Sequence, residues 1–141
     1  MIFIPGSIPS SKNSKIATAK GVFHSKTVAK WLREIGILHY STGKKEVDFY
    51  KTKKCSFPFD DLKNMFKDVG YPCEIGLHFV RKTKTKFDFH NISQIIFDIM
   101  VAGDVIPDDN IDFVIPFVLK IDNKWYSIDK ENPGVWIDIK K

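Results

Sequence analysis

Hydrophobic positions along the chain follow two different periods, which is typical of a protein that mixes helices with strands. From Ser25 to about Tyr40, apolar residues recur every three or four positions. This spacing predicts an amphipathic helix with Ser25 as its N-cap. The same spacing from about Asn91 to Ala102 predicts a second helix, which Gly103 would end. We expect both helices to pack one apolar face against a sheet.

Alternating or continuous apolar runs predict about five strands. They cover residues 2–4, 74–80, 113–121, 125–128 and 135–139. The second is expected to be half-buried, and Asp122-Asn123 is a turn signal that would make the fourth the return strand of a hairpin. Residues 41–54 are predicted to be an exposed loop or a weak hairpin, residues 57–66 are ambiguous, and we assign no role to residues 41–73. Two principal helices and a mixed β-sheet of about five strands predict an α+β fold, with one domain over residues 1–141.

Composition narrows the class of protein. Apolar residues make up 43% of the chain and 12 residues are Phe, which argues against disorder. No apolar run reaches the roughly 18 residues of a membrane span, and the N-terminus lacks the features of a signal peptide. The spacing of Cys55 and Cys73 favours buried free thiols over a zinc site or a disulfide. We therefore expect a cytoplasmic protein with no membrane association.

Positive charge is concentrated in one short stretch. The 22 Lys and Arg residues exceed the 17 Asp and Glu residues by five, a moderate excess that permits binding to phosphate. Residues 81–86, here called the basic segment, contain Arg81, Lys82, Lys84 and Lys86. Such a segment can hold a DNA backbone, although lysines also protect exposed strand edges. The three tryptophans lie within apolar patterns and are expected in the core rather than in contact with bases; they are Trp31, Trp125 and Trp136.

Carboxylates flank the second predicted helix. Asp88 directly follows the basic segment, and Asp108 and Asp109 come just after the helix ends. A strand–helix–strand unit would fold these positions toward each other, and a divalent cation would relieve the repulsion between them. Taken singly, Asp88 is explained by helix capping and the acidic pair by a solvated turn. Spacing alone therefore leaves a metal-dependent nuclease and a purely structural arrangement both open.

The order of several motifs resembles the RusA-type Holliday junction resolvases of phages and prophages. The similar segments are Pro9-Ser-Ser-Lys-Asn13, the basic segment, Asp88-Phe-His-Asn-Ile-Ser-Gln-Ile-Ile-Phe-Asp98, Ile106-Pro-Asp-Asp-Asn-Ile111 and Pro133-Gly-Val-Trp-Ile-Asp-Ile139. The resemblance spans most of the chain in order, apart from about residues 41–73. It implies a homodimeric, magnesium-dependent endonuclease that cuts branched DNA at four-way junctions, with manganese as an alternative metal.

The resemblance also implies roles for individual residues. Asp88 and Asp109 correspond to catalytic metal ligands, and the expected DNA contacts are Lys12, Asn13, Arg81, Lys82, Lys84 and Lys86. The residues expected to support the motif are Asn91, Gln94, Asp98 and Asp108.

Two positions depart from the family pattern. His90 stands where the family has a second motif Asp, and Gln94 stands where it has Lys. His90 replaces a hard oxygen ligand by an imidazole, which would act as a substitute metal ligand or as a general base. Gln94 removes a cation that would stabilise charge on the phosphate. Three hypotheses follow: an active nuclease, a branched-DNA-binding relative with impaired catalysis, and a structural or protein-binding domain whose basic surface is incidental.

Overall fold

The predicted α+β class is confirmed. The computed structural model describes residues 1–9, 15–18, 21–24, 26–35, 38–41, 44–47 and 57–140, with side chains for residues 1–9, 30–35 and 57–140. These residues form three helices: α1 (Lys26–Glu34), α2 (Phe59–Phe66) and α3 (Phe89–Ala102). They also form nine strands: β1 (Ile2–Pro5), β2 (Lys15–Thr18), β3 (Gly21–His24), β4 (Leu38–Ser41), β5 (Lys44–Val47), β6 (Cys73–Arg81), β7 (Val114–Val118), β8 (Ser127–Ile128) and β9 (Gly134–Ile139).

Five of these strands form one mixed sheet, as predicted. Its order is β1-β9-β6-β7, and β8 also pairs with β6. The β6 strand is antiparallel to β9 but parallel to β7 and β8. Two parallel strands need a crossover connection, and α3 provides it between β6 and β7. The strand–helix–strand unit that the sequence suggested is therefore present.

The β6 strand is buried on both faces, so the prediction of a half-buried strand was wrong. Ile75, Leu77 and Phe79 are at most 2% exposed on one face, and on the other His78 is 1% exposed. At Gly76 a β-carbon would lie 2.6 Å from the ring of Phe117, so the β7 side chain occupies that space. The strand has neighbours along both edges and cover on both faces, which alternation along its own sequence cannot reveal.

The segment between β7 and β8 differs most from its prediction. The turn is confirmed, because Asp122 and Asn123 have φ values of 50° and 65° and Ile121 and Lys124 exchange backbone hydrogen bonds of 3.1 and 2.9 Å. The chain does not return along β7, however: β8 joins β6 in parallel, with Ser127 opposite Val80. Residues 119–126 thus leave the sheet edge and then rejoin it, and we call them the edge excursion.

The helices also correct the predicted boundaries. The α1 helix ends at Glu34 rather than near Tyr40, and residues 38–41 pair with residues 44–47 as the antiparallel strands β4 and β5. The predicted N-cap Ser25 lies outside the described residues. The ambiguous segment at 57–66 contains α2. Gly103 ends α3 as predicted, and a β-carbon there would collide with the Phe59 ring, so close contact with α2 favours glycine.

The core lies between the helices and the sheet. The apolar face of α3 belongs to the same cluster as the inward residues of β6 and β9; its members include Ile92, Ile95, Ile96, Ile99 and Met100. Trp31 is in this core, as predicted, and Trp136 is partly buried against Phe3. Trp125 is 60% exposed, so its assignment to the core was wrong. Within the described residues, no helix combines the length and apolar character needed to cross a membrane.

Candidate functional site

Asp88 lies at the N-terminus of α3, directly after the basic segment. It has an extended backbone and its Oδ1 accepts a hydrogen bond of 3.0 Å from the backbone N–H of His90. This is the N-cap arrangement, in which a short acidic side chain satisfies an amide that the helix leaves unpaired. The oxygen Oδ2 takes no part in that bond, and the side chain is exposed. Asp88 is thus a helix cap that also presents a carboxylate oxygen beside the basic segment.

Gln94 joins the two parts of the acidic motif. Its amide Nε2 donates one hydrogen bond to Asp98 Oδ1 and another to Asp109 Oδ2, each 2.8 Å long. Gln94 and Asp98 are four residues apart and therefore lie on one face of α3, while Asp109 reaches the same face from the following loop. Gln94, which stands where the family has Lys, thus holds the carboxylates of Asp98 and Asp109 close together.

Asp108 shapes the loop that carries Asp109. Its Oδ1 accepts a 2.7 Å hydrogen bond from the Asp109 backbone N–H, and its Oδ2 accepts a 3.0 Å bond from the Asn110 amide. Asn110 Oδ1 in turn accepts from the Asp112 backbone N–H at 2.9 Å. These bonds match the solvated-turn explanation for Asp108 and make it a positioning residue for Asp109.

The predicted site residues are therefore brought together only in part. Asp98, Asp109 and Gln94 are in direct contact, whereas Asp88 lies six residues, or about 9 Å of helix rise, before Gln94. His90 is exposed, with its ring 6.1 Å from that of Phe89. Among the described hydrogen bonds, none joins Asp88 or His90 to the cluster, and no described group of three or more His, Cys, Asp or Glu residues is arranged to hold a metal. Asn91 is half-buried on the first turn of α3.

The cluster suits magnesium in the kind and number of its oxygen ligands. Magnesium binds carboxylate oxygens and keeps several waters, so one or two protein carboxylates suffice. Asp98 and Asp109 supply two, since both are hydrogen-bonded to the same amide nitrogen. An ion that bound both would have to displace those Gln94 hydrogen bonds. Gln94 thus competes with a cation, whereas a lysine would have supplied positive charge of its own.

The basic segment is a surface feature, as expected. Lys82, Lys84 and Lys86 are exposed, and Thr83 and Thr85 are hydrogen-bonded through their hydroxyls at 2.9 Å. Arg81 is half-buried, and its guanidinium lies over the Phe87 ring, 4.8 Å from the centroid. The other expected DNA contacts, Lys12 and Asn13, fall outside the described residues.

Sequence analysis missed a polar contact beneath the edge excursion. His78 Nδ1 lies 2.8 Å from the carbonyl oxygen of Leu119, and Nε2 lies 2.6 Å from Ser127 Oγ. A carbonyl only accepts, so Nδ1 carries a proton, and in the neutral ring Nε2 accepts from the serine hydroxyl. The histidine binds the residue at which the chain leaves the edge and the residue at which it returns. It therefore closes the base of the excursion.

A cleft of about 660 Å³ lies on the same side of the sheet as this histidine. Its lining includes Met1, Phe3, His78, Ser127, Ile128 and Trp136. Because both ring nitrogens of His78 are already bonded, its geometry explains a structural role without a ligand. No sequence pattern identified this contact, since its partners are 41 and 49 residues away.

Burial changes the acidity of two groups at the start of β6, the end opposite the basic segment. Burial raises the pKa of the Cys73 thiol above its ordinary value of 9.0. It also raises the pKa of Tyr71, and repulsion from Cys73 adds to that effect. A thiol with a raised pKa is a poor nucleophile, which agrees with the predicted role of Cys73 as a buried free thiol.

No protein-family model, no curated protein and no solved structure matches this chain. The resemblance to RusA-type resolvases therefore depends on the quoted motifs. The structural features that bear on function are the acidic cluster and the charged surface beside it.

Proposed function

We propose that this protein is a metal-dependent, structure-selective DNA endonuclease that resolves four-way junctions by paired nicks. The observation that supports it most directly is the contact of Gln94 with Asp98 and Asp109. It assembles carboxylates from separate parts of the motif on one face of α3, and the exposed basic segment precedes the same helix. Acidic ligands beside lysines suit metal-assisted phosphodiester hydrolysis, because the carboxylates hold the ion and the lysines bind the backbone phosphates.

Each part of the surface then has a distinct task. The exposed lysines of the basic segment bind backbone phosphates and bring the strand to the N-terminus of α3, where the helix dipole also favours negative charge. Asp109 and Asp88 are the proposed metal ligands, Asp98 is a further carboxylate ligand beside Asp109, and Asp108 shapes the loop that carries Asp109. A bound magnesium or manganese ion would supply an activated water and stabilise the leaving oxygen. His90, which is exposed on the first turn, is the proposed general base.

Two symmetric nicks in a four-way junction require two sites at a fixed separation. We therefore propose that the chain acts as a homodimer, because a two-fold axis places two identical sites on the two strands. The compartment that fits this substrate and the free thiol of Cys73 is the cytoplasm.

The second candidate is a branched-DNA-binding protein with impaired catalysis. The Gln94 hydrogen bonds favour it, because they use an oxygen of each clustered carboxylate that a metal would otherwise bind. The imidazole of His90 favours it as well, since it suits magnesium poorly. In this candidate the basic segment still binds DNA and the chain still forms a homodimer, but DNA cleavage is lost.

Cleavage of a labelled synthetic four-way junction tests the proposal. We expect paired nicks with magnesium or manganese and none on a linear duplex of matching sequence. Asp88→Asn and Asp109→Asn should each reduce the nicking rate at least about a hundredfold, because a metal ligand contributes several kcal/mol to the transition state. Both changes keep the shape of the side chain, and Asn also caps helices.

Control variants and binding assays decide among the hypotheses. Lys63→Ala, on α2, removes one positive charge outside the site and should leave nicking unchanged. Salt-sensitive junction binding without nicks in either metal would support the second candidate. Equal binding of junction and linear duplex without nicks would refute both. If Asp88→Asn cuts as fast as the wild type, Asp88 is only a helix cap.

A further inference from the structure

The edge excursion places a tryptophan in solvent beside positive charge. Trp125 is 60% exposed, and the ammonium of Lys120 lies 4.6 Å from its ring centroid. Several exposed apolar side chains close together often mark a binding surface, and Tyr126 and Ile128 are exposed as well. Neither the predicted hairpin nor the family resemblance assigns a function to the Trp125 ring.

Ring contacts connect the residue that follows Trp125 to the basic segment. Trp125 is followed by Tyr126, which is 39% exposed and makes an edge-to-face contact with Phe87 at 5.2 Å. The guanidinium of Arg81 lies over that same Phe87. We call these five residues, Arg81, Phe87, Tyr126, Trp125 and Lys120, the aromatic–basic row; a cation lies at each end and three rings lie between.

The row is held on a rigid base. His78 bonds both ends of the excursion, and the backbone N–H of Leu119 donates to the carbonyl of Leu77 at 3.0 Å. Phe87 packs edge-on against the buried Phe79, with ring centroids 6.1 Å apart. Rings held in place lose little conformational entropy when a ligand stacks on them.

The chemistry of the row fits one occupant. Exposed rings stack on unpaired bases of any sequence, and cations at intervals bind the phosphates between them. The bases of an undistorted duplex are stacked on each other and present no free face to a side-chain ring. Two further lysines adjoin the row in sequence, Lys124 beside Trp125 and Lys82 beside Arg81. Three carboxylates also adjoin it: Asp122 at the turn, Asp88 after Phe87, and Asp129, whose backbone N–H donates to the Arg81 carbonyl. The net charge along the row stays positive.

We propose that the aromatic–basic row binds single-stranded DNA, with Trp125 as a base-stacking residue. Phe87, one of the rings of the row, immediately precedes Asp88, so a strand bound there leads to the proposed cutting site. In a four-way junction this strand would be the unpaired segment at the branch point. That last step rests on the proposed function, whereas binding to a free single strand does not.

Binding of a fluorescently labelled oligothymidylate, measured without metal, tests the proposal. We expect Trp125→Ala to weaken binding by about 5- to 100-fold, the range for loss of one base–aromatic stack. Trp125→Phe keeps a ring and should restore most of the affinity. Tryptophan fluorescence of the wild type should fall on binding, and this quenching should be absent from Trp125→Phe.

The charge of the row is tested with a matched pair of lysines. Lys120→Ala should lower the salt slope of oligothymidylate binding by about 0.7, the value for one lost phosphate contact. Lys130→Ala removes an exposed lysine outside the row and should leave the slope unchanged. Equal effects of the two changes would overturn the assignment of Lys120.

The remaining outcomes separate this proposal from the nuclease proposal. Unchanged oligothymidylate affinity in Trp125→Ala would overturn the row, whatever the junction assay gives. So would a shift in self-association without a change in DNA binding, because the ring would then belong to a protein interface. Absence of junction cleavage by the wild type would overturn the nuclease alone. Linear duplex binding serves as the internal control and should be insensitive to Trp125→Ala.

Discussion

The acidic cluster on α3 follows β6 along the chain, and the edge excursion connects two strands that pair with β6, but the two regions are held in different ways. The cluster consists of exposed or half-buried side chains joined by hydrogen bonds between neighbours on one helix and one loop. The excursion projects into solvent, but it is closed below by a histidine that is 1% exposed. The cluster can therefore be rearranged by changing one surface residue. The excursion depends on the buried His78, which lies outside residues 119–126.

This difference has a consequence for evolution and for experiment. Exposed hydrogen bonds contribute little to folding, so the acidic cluster can vary in chemistry while the fold is retained. A buried polar group that loses its partner costs much more, so the base of the excursion tolerates little change. Substitutions at the cluster should alter activity, and substitutions at His78 should alter stability.

The largest effect is expected when the two family-like side chains are restored together. The double variant His90→Asp, Gln94→Lys adds a hard oxygen ligand and places a cation between Asp98 and Asp109. We expect junction nicking in magnesium to rise by about 100- to 1,000-fold, because one such electrostatic contribution is often worth a few kcal/mol. Single-turnover nicking rates measure it.

Suitable controls isolate charge from shape in that variant. Gln94→Met has a similar length but no charge and should give no increase. Asp is also favourable on the first turn of a helix, so His90→Asp should leave the fold unchanged. A double variant that nicks no faster than the wild type would contradict the metal site proposed here.

Removal of the buried histidine contacts should have the next largest effect, on stability rather than on activity. His78→Leu leaves the Leu119 carbonyl and the Ser127 hydroxyl without their partner. We expect the free energy of unfolding to fall by about 2–4 kcal/mol in urea titrations. Ser127→Ala removes one partner only and should cost about 1 kcal/mol.

Limited digestion with trypsin then locates the change. Cleavage after Lys120 or Lys124 should be faster in His78→Leu, because the excursion is no longer held to β6. Asp109→Asn is the matched control from the other region and should digest like the wild type. Equal digestion of His78→Leu and wild type would show that the Leu119–Leu77 hydrogen bond and the pairing of β8 with β6 hold the excursion without His78.

The smallest effect concerns Cys73, which begins the strand that the two regions share. Its pKa is raised by burial, so the unfolded chain loses the thiol proton at a lower pH than the folded chain. Between the two pKa values the folded state binds more protons, and stability therefore falls as pH rises above about 9. Urea titrations from neutral pH to this range should show the fall, and Cys73→Val should reduce it.

Alkylation gives an independent readout of the same burial. In a Cys55→Ser background, iodoacetamide should label Cys73 only after urea is added. Rapid labelling of the folded protein would contradict both its burial and the raised pKa.

Sequence reasoning succeeded where local chemistry determines structure. The spacing of Ile92, Ile95 and Ile99 predicts α3, Gly103 its end, and Asp122-Asn123 a turn that requires positive φ. The α+β class followed from such elements. The resemblance also selected Gln94, Asp98 and Asp109, which the structure brings into contact. Dimerisation, the metal and DNA cleavage stay predictions.

What could not be predicted depends on partners far along the chain. The burial of His78 comes from strands on either side of β6 and from residues 119 and 127. Trp125 looks like a core residue beside Tyr126 and Ile128, but it is exposed because β8 pairs with β6 instead of β7. Both errors have the same cause. An alternating pattern of apolar residues predicts which side chains lie on each face of a strand, but not which other strand pairs with it.

The contact between His78 and Leu119 has a spectroscopic consequence. The proton on Nδ1 is buried and bonded to a carbonyl oxygen, so it should exchange slowly with water and give a resolved downfield signal in a proton NMR spectrum. Imidazole protons in solvent exchange too fast to be seen in this way. The signal would disappear whenever the chain between β7 and β8 detached from β6. One proton thus reports, without any added label, whether the surface that carries Trp125 stays in place while DNA is bound.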